Sequence, residues 1–313
     1  MNSASKKIII FSILILLFGV SLAASLFWGL DINYKNIILA YIRIPAIIKA
    51  VIAGSSLALA GMFLQAVSKN PLADPYLTGL SSGAGLGIVI SILYFNCLNY
   101  SFFGFIGAII AAVLVIVLSG FSKFSITKLI LIGLSINIFA SSIISFLILT
   151  NPDKAYAMTL VLSGGFSSAE ISNKILVGLF LFILLVSALF IPKLNLMRID
   201  TKLTFESEKQ VNKYNILFVI ISAFLTSISV FTAGILGFVG IVAPLLSKML
   251  FGTDYRILFF VNILIGATLL LTANVLSVHL IYPLQIPLGI VIAFIGAPIF
   301  VFFLLRKGGI LND

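Results

Sequence analysis

The sequence predicts an all-α polytopic membrane protein with about ten transmembrane helices per subunit. Composition is the first reason. Of 313 residues, 61% are hydrophobic and 9% are charged, with mean hydropathy +1.27. A soluble domain carries roughly 25% charged residues, so this chain cannot cover itself with polar surface. The second reason is length: apolar runs recur near the roughly 20 residues needed to cross a bilayer. The third is charge placement. With the N-terminus inside, fourteen of the nineteen lysines and arginines fall on one side of the alternating spans. The positive-inside rule makes that side cytoplasmic.

The spans are expected near 8–28, 46–67, 77–95, 102–119, 126–149, 173–192, 214–232, 237–251, 256–277 and 287–305. The first, after Lys6 and Lys7, resembles a signal peptide but exceeds the usual h-region of about 7–15 residues, so it reads as a retained helix. Segment 158–168 is too short to cross and reads as a half-helix or re-entrant piece. Segment 237–251 is short and is expected to break at Pro244. Irregular backbone at membrane depth persists only against protein or a water-filled path, so both segments are candidates for lining one. The whole chain, 1–313, reads as one transmembrane domain with both termini cytoplasmic. The net charge of +10 is then a topology signal, and no nucleic-acid partner is expected.

Several function classes are excluded. Ion-coupled carriers bury carboxylates or histidines in their spans, whereas all nine acids here fall in loops or at span ends. His279 sits near an outer edge, where an interfacial polar role is the plainer reading. No phosphate-cradling G-x-x-x-x-G-K-[ST] run occurs, and no catalytic constellation, metal site or cofactor site is visible. Cys97, the only cysteine, reads as small apolar filler. Energy for pumping must therefore come from another polypeptide. The amides Gln65, Asn137, Asn262, Asn274 and Gln285 read as intramembrane polar groups, serving as interhelical glue or as path lining. The polar stretch 193–215 is a solvated connector or a docking element. Its apolar punctuation at Leu196, Ile199, Leu203, Phe205 and Val211 suits short helices on a surface or in a partner's groove.

One loop stands apart. In "QAVSKNPLADPYLTGLSSGAGLG" (65–87) the pairs Asn70-Pro71 and Asp74-Pro75 force their first residues out of the α region, predicting a stiff polar turn between two helices. Behind it Gly79, Gly83 and Gly87 are spaced for one helical face, where backbones approach closely in lipid. Gly289, Ala293 and Ala297 repeat the spacing in the last span.

The run "RIPAIIKAVIAGSSLALAGMFLQAVSKNPLADPYLTGLSSGAGLG" (43–87) resembles the FecCD family of ABC import permeases, which carry iron-siderophore complexes, haem and cobalamin. The likeness continues in "LILIGLSINIFASSI" (129–143), "LNLMRIDTK" (194–202), "AGILGFVGIVAPLLSKMLFGTDYR" (233–256) and "PLQIPLGIVIAFIGAPIFVFFLLRK" (283–307). It implies the type II ABC importer architecture of ten helices per subunit, a prokaryotic plasma (inner) membrane location and a path on a dimer axis. The implied partners are a cytoplasmic ATP-binding subunit dimer, an extracytoplasmic substrate-binding protein, and a second copy of this chain or a similar permease, all within membrane lipid. It implies a cytoplasmic gate at Asn70, Pro71 and Leu72. It also implies ATPase coupling within about 195–214, involving Leu196, Arg198, Ile199, Lys202, Leu203, Phe205 and Val211. Arg43, helped by Lys49, is where the binding protein is expected to dock. Charges usual in the family are missing at Ala46, Leu245, Asn274, Val278 and Gln285, which suits an altered partner, one half of a heterodimeric permease, or drift. The rival outside the family is a secondary transporter driven by an ion gradient.

Overall fold

In hydrocarbon a backbone N–H or C=O has no water to bond, so an apolar run must pair its own backbone as a helix. The computed structural model describes residues 3–29, 35–76, 78–95, 100–120, 126–166, 173–199, 205–282 and 284–306. Among these the fold is helical. The order is α1 (Ser3–Phe27), α2 (Lys35–Ile38), a π-helical turn (Leu39–Arg43), α3 (Ile44–Ser68), α4 (Leu80–Tyr94), α5 (Tyr100–Ser119), α6 (Ile126–Thr150), α7 (Pro152–Leu162), α8 (Asn173–Ile199), α9 (Phe205–Ala233), α10 (Val239–Phe251), α11 (Tyr255–His279) and α12 (Leu288–Arg306). Each expected span has its helix. Seven stretches are long and apolar enough to cross a membrane, while α4, α10 and the apolar part of α12 are shorter.

The bundle is built around α3, which packs on α9, α10 and α11 and also touches α1, α6 and α8. The span containing it is 89% buried, whereas the span in α1 is 11% buried. Small residues explain the difference. A methyl group at Gly54 would overlap the Gly266 carbonyl of α11, and one at Gly61 would overlap the Gly240 carbonyl of α10. Without Cβ atoms the backbones touch, which is how helices gain van der Waals energy where lipid offers no hydrophobic driving force. Hydroxyls complete the contacts: Ser55 Oγ donates to Ile263 O at 3.1 Å and Ser222 Oγ to Ala60 O at 3.3 Å.

Three expectations change. The short re-entrant piece is α7, which starts at Pro152 rather than near 158. Asn151 breaks the helix after Thr150, and proline at the first helical position costs nothing because its missing N–H would have been unpaired there. Pro244 does not break α10, which runs through it. It only removes one N–H, freeing the Gly240 carbonyl four residues earlier, and Gln65 Nε2 donates to that oxygen at 3.4 Å. Finally, α8 does not stop near 192 but continues through Pro192 to Ile199, and α9 begins at Phe205. The connector is thus largely the ends of two long helices, where short surface helices were expected.

Candidate functional site

The start of α1, the ends of α3, α8 and α10, and the start of α9 share one end of the bundle. Phe11 meets Phe251 edge-on at 6.3 Å, and Lys193 stands 5.8 Å over the Tyr214 ring. Two polar segments meet this end, the loop 69–79 and the connector between α8 and α9.

The loop is two turns in tandem, each set by its own Asx-Pro pair. Lys69 ends α3 in the left-handed region at φ 49°. Asn70 Oδ1 then accepts from Leu72 N at 2.9 Å, and Ala73 N donates to Asn70 O at 3.1 Å. Asp74 Oδ2 accepts from Tyr76 N at 3.2 Å, and Thr78 N donates to Asp74 O at 3.0 Å. Side chains that replace backbone partners in this way make Asn and Asp turn residues, while each proline presets its φ. The turn expected from the Asx-Pro pairs is present, and despite its polar residues much of it is buried. Asn70, Pro71 and Leu72 are half-buried, and Ala73, Asp74, Pro75 and Thr78 are buried.

Asp74 is the residue that sequence reasoning passed over as one of nine loop acids. It is 2% exposed, and its Oδ1 has no hydrogen-bond partner among the described residues. That oxygen rests on Gly240, in the first turn of α10. Burial pushes the carboxyl up to about 7, opposed only by the Tyr76 N–H. Beside it Gln65 bridges two elements of α10: Nε2 donates to Gly240 O, and Oε1 accepts from Lys248 Nζ at 3.1 Å. Gln65 therefore acts as glue, as does Asn262, whose Nδ2 donates to Ser247 Oγ at 2.9 Å. Asn137 and Asn274 lie on the helices α6 and α11. Gln285 is exposed in the turn before α12 rather than inside a span.

The glycines divide. Gly79 is not on the α4 face. At φ +80° it is the left-handed residue before the helix, and a side chain there would come within 2.8 Å of Gly133 O. Gly83 and Gly87 do lie in α4 and pack on Gly107 and Phe103 of α5. Gly289 N donates to Ser163 O at 2.9 Å, and Leu288 N to Gly164 O at 3.2 Å, so the start of α12 receives the end of α7. The other end of α7 is tied by Lys154, whose Nζ donates to Ile92 O and Leu93 O at the end of α4.

In the connector Leu196 is 59% exposed and Val211 is half-buried. Arg198 and Ile199 close α8 and Phe205 opens α9; Lys202 and Leu203 lie outside the described residues. Asn195 ties this end to the turn before α11, donating to Asp254 Oδ1 at 2.7 Å and accepting from Tyr255 N at 3.0 Å. At the opposite end of the bundle, Arg43 is half-buried and committed internally. Its guanidinium donates to Ser25 O and Trp28 O, both at 3.0 Å, satisfying carbonyls left orphaned where α1 stops. His279 Nε2 lies 3.0 Å from the same Trp28 oxygen. Lys49, in the first part of α3, is 8% exposed.

This bundle sets its two polar segments at one end of helices long and apolar enough to cross a membrane. Residues 7–306 match the FecCD transport family, and the chain belongs to it. It is similar to the Fe(3+)-citrate import system permease protein YfmE of Bacillus subtilis (strain 168), 32% identical over 280 residues, spanning 88% of this chain and 84% of that one. It is likewise similar to the hemin transport system permease protein HmuU of Yersinia pestis, 30% identical over 275 residues, spanning 85% and 82%. Among solved structures it resembles an ABC transporter assigned to the metal-chelate type in an inward-facing conformation, with TM-score 0.84 and 26% identity over 95% of this chain and 99% of that one. The chain is thus a multi-pass permease subunit of an ABC importer, a transport protein and not an enzyme. Membership of the family implies an ATPase, a substrate-binding protein and a permease dimer as partners.

Proposed function

We propose that this permease carries a bulky ferric chelate or haem into a prokaryotic cell, across the plasma (inner) membrane, with both of its termini in the cytoplasm. The relatives' names, ferric citrate and haem, favour these cargoes over a corrinoid. In this reading residues 1–313 act as one permease domain. The loop at Asn70, Pro71 and Leu72 closes the cytoplasmic end of a path between two permease copies. An ATPase dimer pushes on 195–214, where Leu196 offers exposed apolar surface and Arg198, Ile199, Lys202, Leu203, Phe205 and Val211 complete the contact. An extracytoplasmic binding protein docks near Arg43. Nucleotide shifts the permease between outward-open and inward-open states only by binding one of them better.

The observation that carries this reading is the likeness to an inward-facing transporter over nearly the whole chain. The test begins with the tagged chain purified from mild detergent and mass spectrometry of what accompanies it. An ATPase subunit with this permease alone, followed by ATP-dependent uptake of ferric citrate or haem in proteoliposomes, is the expected result. A second permease of the same family would assign the missing charges to a heterodimer. Leu196→Glu should reduce ATPase recovery about tenfold or more, the size of a hot-spot truncation, while leaving the permease folded. Uptake that needs no ATPase would replace this reading with ion-gradient coupling.

A further inference from the structure

The loop 69–79 is held by good turn chemistry and yet contains one group that is poorly placed. Asp74 is buried, one carboxylate oxygen accepts from Tyr76 N, and the other accepts nothing. A buried carboxylate oxygen without a partner loses its hydration and gains nothing in return. The site offers no remedy in this position. Gly240 presents only its backbone, and a methyl group there would overlap Oδ1. Lys248, a half-buried cation of α10, has its ammonium on Gln65 Oε1 instead. Of the other charged groups on the surrounding elements, Lys69 at the end of α3 and Lys128 at the start of α6 are exposed. The tyrosine of the loop itself, Tyr76, is also largely exposed. Helix α4 carries no charged residue.

We propose that Asp74 is a proton-dependent clasp: protonated, it stays seated on Gly240 and keeps the loop shut against α10, and ionised, it drives the loop out toward water. Asp74 is then a positioning residue for transport. The inference rests on the reading of Asn70–Leu72 as the gate, but it concerns the loop's own equilibrium. Two features make the seat specific. The carboxyl enters a slot that exists only because residue 240 is glycine. The neutral form satisfies the seat better, because a carboxylic acid carries no charge to be hydrated. The first turn of α10 attracts negative charge through its dipole, yet Oδ1 forms no bond to any N–H there, so the loss of hydration dominates.

The experiment follows the loop directly. In a Cys97→Ser background, Ala73→Cys, buried when the loop is shut, is labelled with a maleimide in permeabilised membrane vesicles. Its rate is divided by that of Lys69→Cys, exposed at the loop's edge, so that the ionisation of the thiol cancels. With native Asp74, relative labelling should rise severalfold between pH 6 and 8, the interval around about 7 in which the carboxyl loses its proton. Asp74→Asn, isosteric and always neutral, should be low and flat across that range. Gly240→Ala should unseat the carboxyl and label fast at every pH. Asp74→Ala combined with Gly240→Ala removes the overlapping oxygen and should return labelling to the low level. Pro75 Cδ, 3.0 Å from the new methyl position, needs to give only slightly. Labelling of Asp74→Asn that tracks native Asp74 across the pH range would overturn the proposal. So would Gly240→Ala labelling no faster than glycine at neutral pH. Neither readout uses transport or ATP. Failure of the clasp is therefore distinguishable from failure of the importer reading, which would appear as the absence of a co-purifying ATPase.

Discussion

The two polar interruptions at one end of the bundle, the loop 69–79 and the connector 193–215, resemble each other in composition and differ in fate. Both interrupt hydrocarbon with Asn, Asp and Lys. The loop folds back and is buried through Ala73, Asp74, Pro75 and Thr78, whereas the connector extends two helices outward and leaves Leu196 exposed. What separates them is how their backbone is satisfied. The loop carries Asx-Pro pairs that close its turns internally, so it can leave water. The connector has long charged side chains and no such pairs, and what holds its described ends to the bundle comes from distant chain: Asn195 on the turn before α11, with Leu194 and Asn215 buried in the bundle. Polarity alone does not place a segment on the surface; the supply of local hydrogen-bond partners decides.

That contrast can be broken at its strongest point with matched valines. Gly79→Val puts a β-branched residue at φ +80° with Gly133 O 2.8 Å away, and the purified permease should no longer give a single peak on size exclusion in detergent. Gln210→Val, at an exposed position of α9, should shift stability by no more than about 0.5 kcal/mol, as surface changes usually do. If both variants behave alike, the two segments are not held differently. A second, intermediate effect sharpens the loop's side. An acid whose folded value is raised binds its proton more tightly when folded. It therefore costs stability as pH climbs from the ordinary carboxyl value of about 4 through the folded value of about 7. Thermal melts of the native chain should fall across that window, and Asp74→Asn should remove most of the fall. Persistence of the same slope in the variant would assign it to other groups. The smallest effect is Asn70→Ala. Losing the acceptor for Leu72 N should cost about 1 kcal/mol, visible as a modest drop in melting temperature with ATPase recovery unchanged.

Much of this was legible in the residues, and the failures share a cause. Every span was visible because hydrocarbon enforces one secondary structure on any apolar run of sufficient length. The Asx-Pro turns were visible because their hydrogen bonds are local. The misjudged features all depend on distant chain. Pro244 reads as a break until Gln65 arrives to take the freed Gly240 carbonyl. Asp74 reads as one more loop acid until α10 covers it. The bonds of Arg43 to the end of α1 and the burial of Lys49 likewise leave no local mark in the sequence. Gly79 reads as a packing residue because spacing reports a helical face only where the helix has already begun. A local signal for Asp74 did exist: an Asx residue before proline commits its own side chain to the backbone and so tolerates burial.

The centrality of α3 also bears on how the protein is made. It is the second long helix to leave the ribosome, yet its hydroxyl and amide contacts reach residues 162, 175 and 208 positions further along. Ser55, Gln65 and Lys49 therefore enter the membrane well before α9, α10 and α11 exist to cover them. Until then this face must be held by the insertion machinery or by temporary neighbours. A chain that stalls after α8 presents quality-control proteases with an intact helix whose polar side has no protein against it.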